Sequence, residues 1–382
     1  MDNKKAVFKK ISDIAFIAGV ICEILVMPSG FVELYYGQKY IILLGMAAFA
    51  LSLLFSMDLK KDWKYFIPVF GFGLLCYYFQ KSALVLRLGL IIMAGRTQDR
   101  KKIMKFFFFG TAGWMILAFI LSFFGMSGPL YLQLAFRHWE GEVRWCFGFL
   151  NPNGYAFFQI KLLIMGLYLY GDKMKLWVRG LIFAVGLVPL IMAVTKAGLA
   201  AYVVFSAAAL YLAYAKDEEK QLKLLWYSGA AMMVLEMLLI FTLGIFPYPE
   251  EHVGQIHNYW DLMNSVTTGR LSNAREVLQQ NMPPIMGSVG GQEAISEIGF
   301  VDSLYREGVV FVAAYCVLLF VLLYKLYRQK DRYGMFLLLC FTFYTIAESF
   351  LPYANKNGVW ILLIGSVLIP PCHPEERSDE GS

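Results

Sequence analysis

The chain has 382 residues, of which 59% are hydrophobic, 16% aromatic and only 16% charged. A soluble protein of this length needs far more polar side chains to cover itself, so the composition excludes a soluble enzyme and indicates an all-α, polytopic integral membrane protein. The formal net charge of +6 requires no nucleic-acid partner, because anionic lipid at a cytoplasmic membrane face attracts the same positive excess.

A hydrocarbon core of about 30 Å takes roughly 20 apolar residues per helix, fewer where flanking side chains snorkel, and that rule predicts about twelve spans. The first, Ile11–Met27, follows a lysine-rich start but lacks a small-x-small cleavage site, so it reads as a helix rather than a removed signal. Tyr40–Ser56, Tyr65–Phe79, Ser82–Ala94 and Ile103–Met126 follow. The span Ser82–Ala94 is the shortest of these and carries Arg87 near its middle. After an outer segment, 127–153, come Gly154–Tyr170, Trp177–Val194, Gly198–Ala215 and Leu222–Phe246. A large extracytoplasmic loop, 247–299, precedes the tenth helix; it contains a predicted short helix over Ser272–Asn281 and a glycine-rich stretch, Gly287–Gly291. Loops this long in an otherwise economical chain carry function or are disordered. The last three spans are Phe300–Tyr327, Tyr333–Leu351 and Val359–Ile369. Residues 1–369 thus read as a single membrane domain, without a fixed-period repeat or a matched pair of interrupted helices. The polar tail, 370–382, reads as a disordered cytoplasmic end. The six cysteines are scattered without a CxxC pair, so neither a disulfide framework nor a metal site is expected, and no cofactor.

Positive charge orients the set. Lys4, Lys5, Lys9 and Lys10, then Lys60, Lys61 and Lys64, then Arg96, Arg100, Lys101 and Lys102 fall on one side, as do Lys173, Lys175, Arg179, Lys325 and Arg328. Cytoplasmic loops hold such an excess, which places both termini in the cytoplasm and makes the short fourth span a true crossing.

Polar residues that lipid should exclude, and cations left on the outer side, are the informative ones. Arg87 is either a snorkelling arginine in a short tilted helix or a ligand for an anionic substrate. In Arg144–Ala156 the turn Asn151-Pro152-Asn153-Gly154 leads into the sixth helix; Asn151 or Asn153 can cap it, and its N-terminal amides form an anion site beside Arg144. Gln159 and Lys161 lie one and two turns further in and need a cavity to face. Lys196 occupies a tight outer turn between the seventh and eighth spans. Arg270 and Arg275 stand in the large loop, and Asp302 and Arg306, four apart, share a helix face, as an ion pair or as part of a site. His252 and His257 in the large loop, His138 in the smaller one, and Asp302 are the candidate general bases. An outer site rich in Arg and Lys suits a lipid-borne pyrophosphate, since arginine binds phosphate bidentately and stays charged. No GxxxxGK[ST] loop and no clustered metal ligands are present, so arginines would stabilise the leaving charge.

At these residues the chain resembles the Wzy-type family of O-antigen and capsule polymerases, which includes O-antigen ligases. The stretches concerned are Arg144–Ala156 (RWCFGFLNPNGYA), Thr195–Leu199 (TKAGL), Thr268–Leu271 (TGRL) and Val301–Val309 (VDSLYREGV), in that order, with a large outer loop and about a dozen helices. The resemblance implies a membrane-embedded, metal-independent glycosyltransferase that moves a glycan from undecaprenyl pyrophosphate to an acceptor hydroxyl at the outer face. By that resemblance Arg144, Lys196, Arg270 and Arg87 would hold the pyrophosphate; the reading of the residues adds Arg275 and Arg306, with Asn151 and Asn153 at the helix start. It also implies a flippase and a chain-length regulator of the same pathway as partners. Ligases tend to carry a histidine shortly before the Asp302 motif; none lies between Asn258 and Val301, which favours polymerase over ligase. The rival of another class is a lipid-linked oligosaccharide flippase or other transporter, whose cations would line a path through the membrane.

Overall fold

The computed structural model describes residues 2–26, 32–80, 82–134, 142–215, 217–245, 264, 269–280, 282–287, 296, 298–345, 353 and 356–363. These residues are predominantly helical. The helices are α1 (Asp2–Leu25), α2 (Val32–Ser56), α3 (Leu59–Gln80), α4 (Leu84–Gly95), α5 (Arg100–Ser122), α6 (Pro152–Tyr170), α7 (Leu176–Ala193) and α8 (Lys196–Tyr214). They continue as α9 (Glu218–Ile245), α10 (Arg270–Gln280), α11 (Gly299–Arg306), α12 (Val309–Arg328), α13 (Arg332–Tyr344) and α14 (Val359–Leu363). Between α5 and α6 lies an antiparallel hairpin, β1 (Tyr131–Leu134) and β2 (Glu142–Trp145), with Leu132 opposite Arg144.

Among the described residues, six helices are long and apolar enough to cross a membrane: Gly37–Ser56 of α2, α5, α7, α8, Glu218–Leu243 of α9, and α12. Their outer faces are apolar as well; Leu54 on α2 is 75% exposed and Val185 on α7 is 63%. Water penalises a continuous apolar surface of this kind and hydrocarbon does not, so the bundle is dressed for membrane insertion. The helices α4 and α13 are apolar but have 12 and 13 residues, which at 1.5 Å per residue makes them roughly 18–20 Å long.

Two helices form the centre. The helix α6 packs on α5, α7, α8 and α13 and buries Phe157, Phe158, Ile164 and Leu167. The helix α13 buries every residue from Tyr333 to Thr342. Helices apolar on all sides belong in such an interior. Along α1 and α2 small residues allow close approach: Ser12 Oγ donates to the Ser52 carbonyl at 3.0 Å, and a methyl group at Gly19 would lie 2.6 Å from the Phe49 ring.

Ion pairs stitch one end of the bundle. Arg96, just after α4, pairs with Asp62 in the first turn of α3. Arg100, at the start of α5, meets Asp331 before α13 at 2.9 Å. Arg332 joins Asp172 after α6 (2.6 Å) and Glu218 at the start of α9 (3.1 Å). The connections α2–α3, α4–α5, α6–α7, α8–α9 and α12–α13 therefore share this end.

Three expectations need amendment. The hairpin in 127–153 adds a small sheet to the all-α reading; its strands of four residues are too short to show a pattern in sequence. The expected continuous tenth span, Phe300–Tyr327, is broken into α11 and α12 at Gly308, whose φ of +93° no helix tolerates. This is a single interrupted helix; no matching partner to it is present among the described residues. A methyl group at Gly308 would lie 2.3 Å from the Gly287 nitrogen, and one at Gly287 2.4 Å from the Arg306 carbonyl oxygen, so two glycine backbones lie against each other at the break. The predicted loop helix is present as α10, starting two residues earlier than expected. The tail, the rest of the glycine-rich stretch and the ends of the last two predicted spans lie outside the described residues.

Candidate functional site

Arg144, Lys196, Arg270, Arg275, Asp302 and Arg306, singled out in the sequence, lie at the other end of the bundle. That end is tied together as follows. Phe157, in the second turn of α6, stacks on Tyr344 at the end of α13, with ring centroids 5.6 Å apart. The carbonyl of Thr345 then accepts the N–H of Gly299 (2.7 Å), the first residue of α11. Gln80, the last residue of α3, donates through Nε2 to the Glu307 carbonyl at 2.7 Å.

The first group of cations sits on the hairpin and the α7–α8 turn. An aromatic ladder, Tyr131, Trp145, Phe147 and Tyr155, ties the hairpin to the start of α6; its last pair has centroids 4.4 Å apart. Arg144 is thereby carried to the C-terminus of α7, where Nε donates to the Ala193 carbonyl at 3.3 Å and Nη2 to that of Val194. Val194 closes α7 in the left-handed conformation, and its unsatisfied carbonyls are the negative end of the helix dipole. Lys196, exposed, opens α8 two residues later. Arg144 and Lys196 thus share one turn, with two N–H groups of Arg144 spent on backbone.

Asn151, not Asn153, caps α6: its side chain accepts the Gly154 N–H at 2.6 Å, with Pro152 at the first helical position. The cap itself fills one of the amides the anion site was expected to offer.

The second group lies on α10 and α11. Tyr305 Oη donates to the Val277 carbonyl at 2.9 Å and so joins the two helices. Arg270 and Arg275 on α10 are both buried. Arg306 Nε meets Asp302 Oδ1 at 2.9 Å and its Nη1 donates to the Tyr353 hydroxyl at 3.2 Å. Asp302 is buried and spends one carboxylate oxygen on that pair.

Sequence reasoning missed Glu307. It follows Arg306 at the break, is 2% exposed, and its Oε2 has no hydrogen-bond partner among the described residues. Burial pushes its carboxyl up to about 7; Arg306 opposes the shift and Asp302 adds to it. Gln80 Oε1 is likewise buried without a partner. The available signal was a Glu-Gly pair inside an apolar run.

Other candidates sit deeper. Arg87 on α4 makes a two-pronged pair with Glu23 on α1, Nε to Oε1 at 2.6 Å and Nη2 to Oε2. Lys161 on α6 is fully enclosed, with its ammonium 3.9 Å from the Phe107 ring centre. Gln159 does face a cavity: with Tyr202 it lines a mostly apolar cleft of ≈470 Å³ between α6, α7 and α8, and its Nε2 donates to the Gly186 carbonyl. His138, His252 and His257 lie outside the described residues. No protein-family model, no curated protein and no solved structure matches the chain.

Proposed function

We propose that the chain is a polysaccharide polymerase of the bacterial cytoplasmic membrane, with about twelve spans and both termini inside. It takes a glycan from undecaprenyl pyrophosphate and passes it to the hydroxyl of an acceptor repeat unit at the outer face. The observation that carries this reading is the collection, at the end opposite the ion-paired loops, of Arg270, Arg275 and Arg306 on two joined helices, with Arg144 and Lys196 at the same end of the bundle. Such cations suit a pyrophosphate leaving group, stabilising its charge through fixed donors without a metal.

The flippase reading has one supporting observation, the ionisable cluster of Glu23, Arg87 and Lys161 within the helices. All three are buried, with Glu23 and Arg87 committed to each other, whereas a transport path needs such groups to face water. The ligase reading shares the outer chemistry and differs in the acceptor.

Deletion of the gene in its host, followed by gel analysis of surface polysaccharide and lipid-linked intermediates, separates the three. A polymerase is expected to leave single repeat units at the outer face with no polymer ladder. Full-length polymer retained on its lipid carrier would instead establish a ligase, and repeat units trapped at the inner face a flippase.

A further inference from the structure

The polymerase reading needs a receiver for the proton of the acceptor hydroxyl; the candidate histidines lie outside the described residues and Asp302 is paired with Arg306, whereas Glu307 is placed to take it. Its backbone carbonyl is fixed by Gln80 Nε2, while the amides of Val309 and Val310, just beyond Gly308, donate to the carbonyls of Pro284 and Ile285 at 3.0 and 3.1 Å. The close contact of Gly287 with Gly308 fixes the same corner from the other side. A carboxyl held in this way has little freedom to find a protein partner. Two enclosed acceptor atoms, Glu307 Oε2 and Gln80 Oε1, remain there without a donor among the described residues. Buried acceptors are nearly always satisfied, so these two atoms call for a donor beyond the described residues, and a sugar hydroxyl is one.

We propose, resting on the polymerase reading, that Glu307 and Gln80 receive the acceptor hydroxyl and that Glu307 is the general base. In the step, the acceptor O–H bond breaks and its proton passes to Glu307 Oε2. The oxygen bonds to the anomeric carbon of the donor glycan as the carbon–oxygen bond to the pyrophosphate breaks. The leaving pyrophosphate keeps the electron pair beside Arg270, Arg275 and Arg306, and Glu307 then returns its proton to water.

The groups that bear on this carboxyl come from three parts of the chain. Arg306 and Asp302 lie on α11, Cys76 and Gln80 on α3, and Tyr353 follows α13. Burial dominates among them and keeps the carboxyl up to about 7, which is where a base working at neutral pH is most effective. Asp302, by contrast, is held by Arg306.

The test uses membranes carrying the full chain, supplied with lipid-linked repeat units extracted from the host deleted for the gene. Polymer formation by the wild type should rise with pH and level off above about 7, the base being active once deprotonated. E307Q, at equal membrane abundance, should be slower by about 100-fold in kcat with a nearly unchanged KM, and the acid limb should vanish. Glu307→Asp should recover part of the rate. Retention of the wild-type rate and profile in E307Q would overturn the proposal. Where E307Q fails to reach the membrane, the wild-type profile decides, since a flat profile between pH 5.5 and 8.5 also overturns it. A wild type that makes no polymer from these units at any pH sinks the polymerase reading, and this inference falls with it.

Discussion

Arg87 gives the sharpest test of whether a charge within the bundle is structural. Arg87→Ala leaves the Glu23 carboxylate buried without its two-pronged partner. Removal of one member of a buried pair costs about 3–5 kcal/mol, because the charge left behind has no water to return to. At about 1.36 kcal/mol per decade that lowers the folded-to-unfolded ratio roughly 10²- to 10⁴-fold. Glu23→Ala should be at least as damaging, since it strands both Arg87 and the enclosed Lys161 with no nearby carboxylate to offset them. The exchange Glu23→Arg with Arg87→Glu keeps the pair neutral beside Lys161 and should recover much of the loss. The assay is thermal unfolding of a fluorescent fusion in detergent, run alongside polymer formation by the same membranes. Single variants as stable as the wild type would refute the pairing argument. A swapped variant that is stable yet inactive would show instead that Arg87 touches the substrate.

Three further outcomes are expected. Arg144→Ala should lower the unfolding temperature modestly, for a loss of about 1 kcal/mol, because it removes a cation from the C-terminal carbonyls of α7; Arg144→Lys should fall between, measured by the same thermal scan. Gly308→Ala should destabilise by about 3 kcal/mol or more and open the α11–α12 corner to limited proteolysis, through positive-φ strain and the contact with the Gly287 backbone. Arg270→Lys should cut polymer formation by about tenfold or more while leaving membrane abundance unchanged, if a planar fork on phosphate is what the position supplies; activity at the wild-type level would remove Arg270 from the site.

The parts of the fold legible in sequence depend on local rules. Long apolar runs announced α2, α5, α7, α8, α9 and α12, because twenty apolar residues in a row have one good environment. Asn151 followed by Pro152 announced a capped helix start, and the cap is there at 2.6 Å. The helix α10 was also expected inside the long loop, within two residues of where it starts. The hairpin was not, since Tyr131–Leu134 and Glu142–Trp145 are held by an aromatic ladder that forms only in three dimensions.

What escaped the sequence depends on distant residues. A single glycine is tolerated inside a helix at a cost of about 1 kcal/mol, so an apolar run through Gly308 reads as continuous. It breaks because Gly287, from another part of the chain, presses its backbone against that position. For Arg87 the sequence offered snorkelling or an anionic substrate, and nothing local pointed to its actual partner, Glu23 on the first helix. The site follows the same logic. Its cations were visible as outer Arg and Lys residues, each out of keeping with the orientation bias. The carboxyl was not, because the Glu-Gly pair is a weak local mark: the environment of Glu307 is set by Gln80, 227 residues earlier in the chain, and by a helix break at which another segment packs. A glutamate in a continuous span would need a partner within the bundle, as Glu23 has. A glutamate at a broken corner, with its oxygen enclosed and unmatched among the described residues, is instead in a position to meet a ligand.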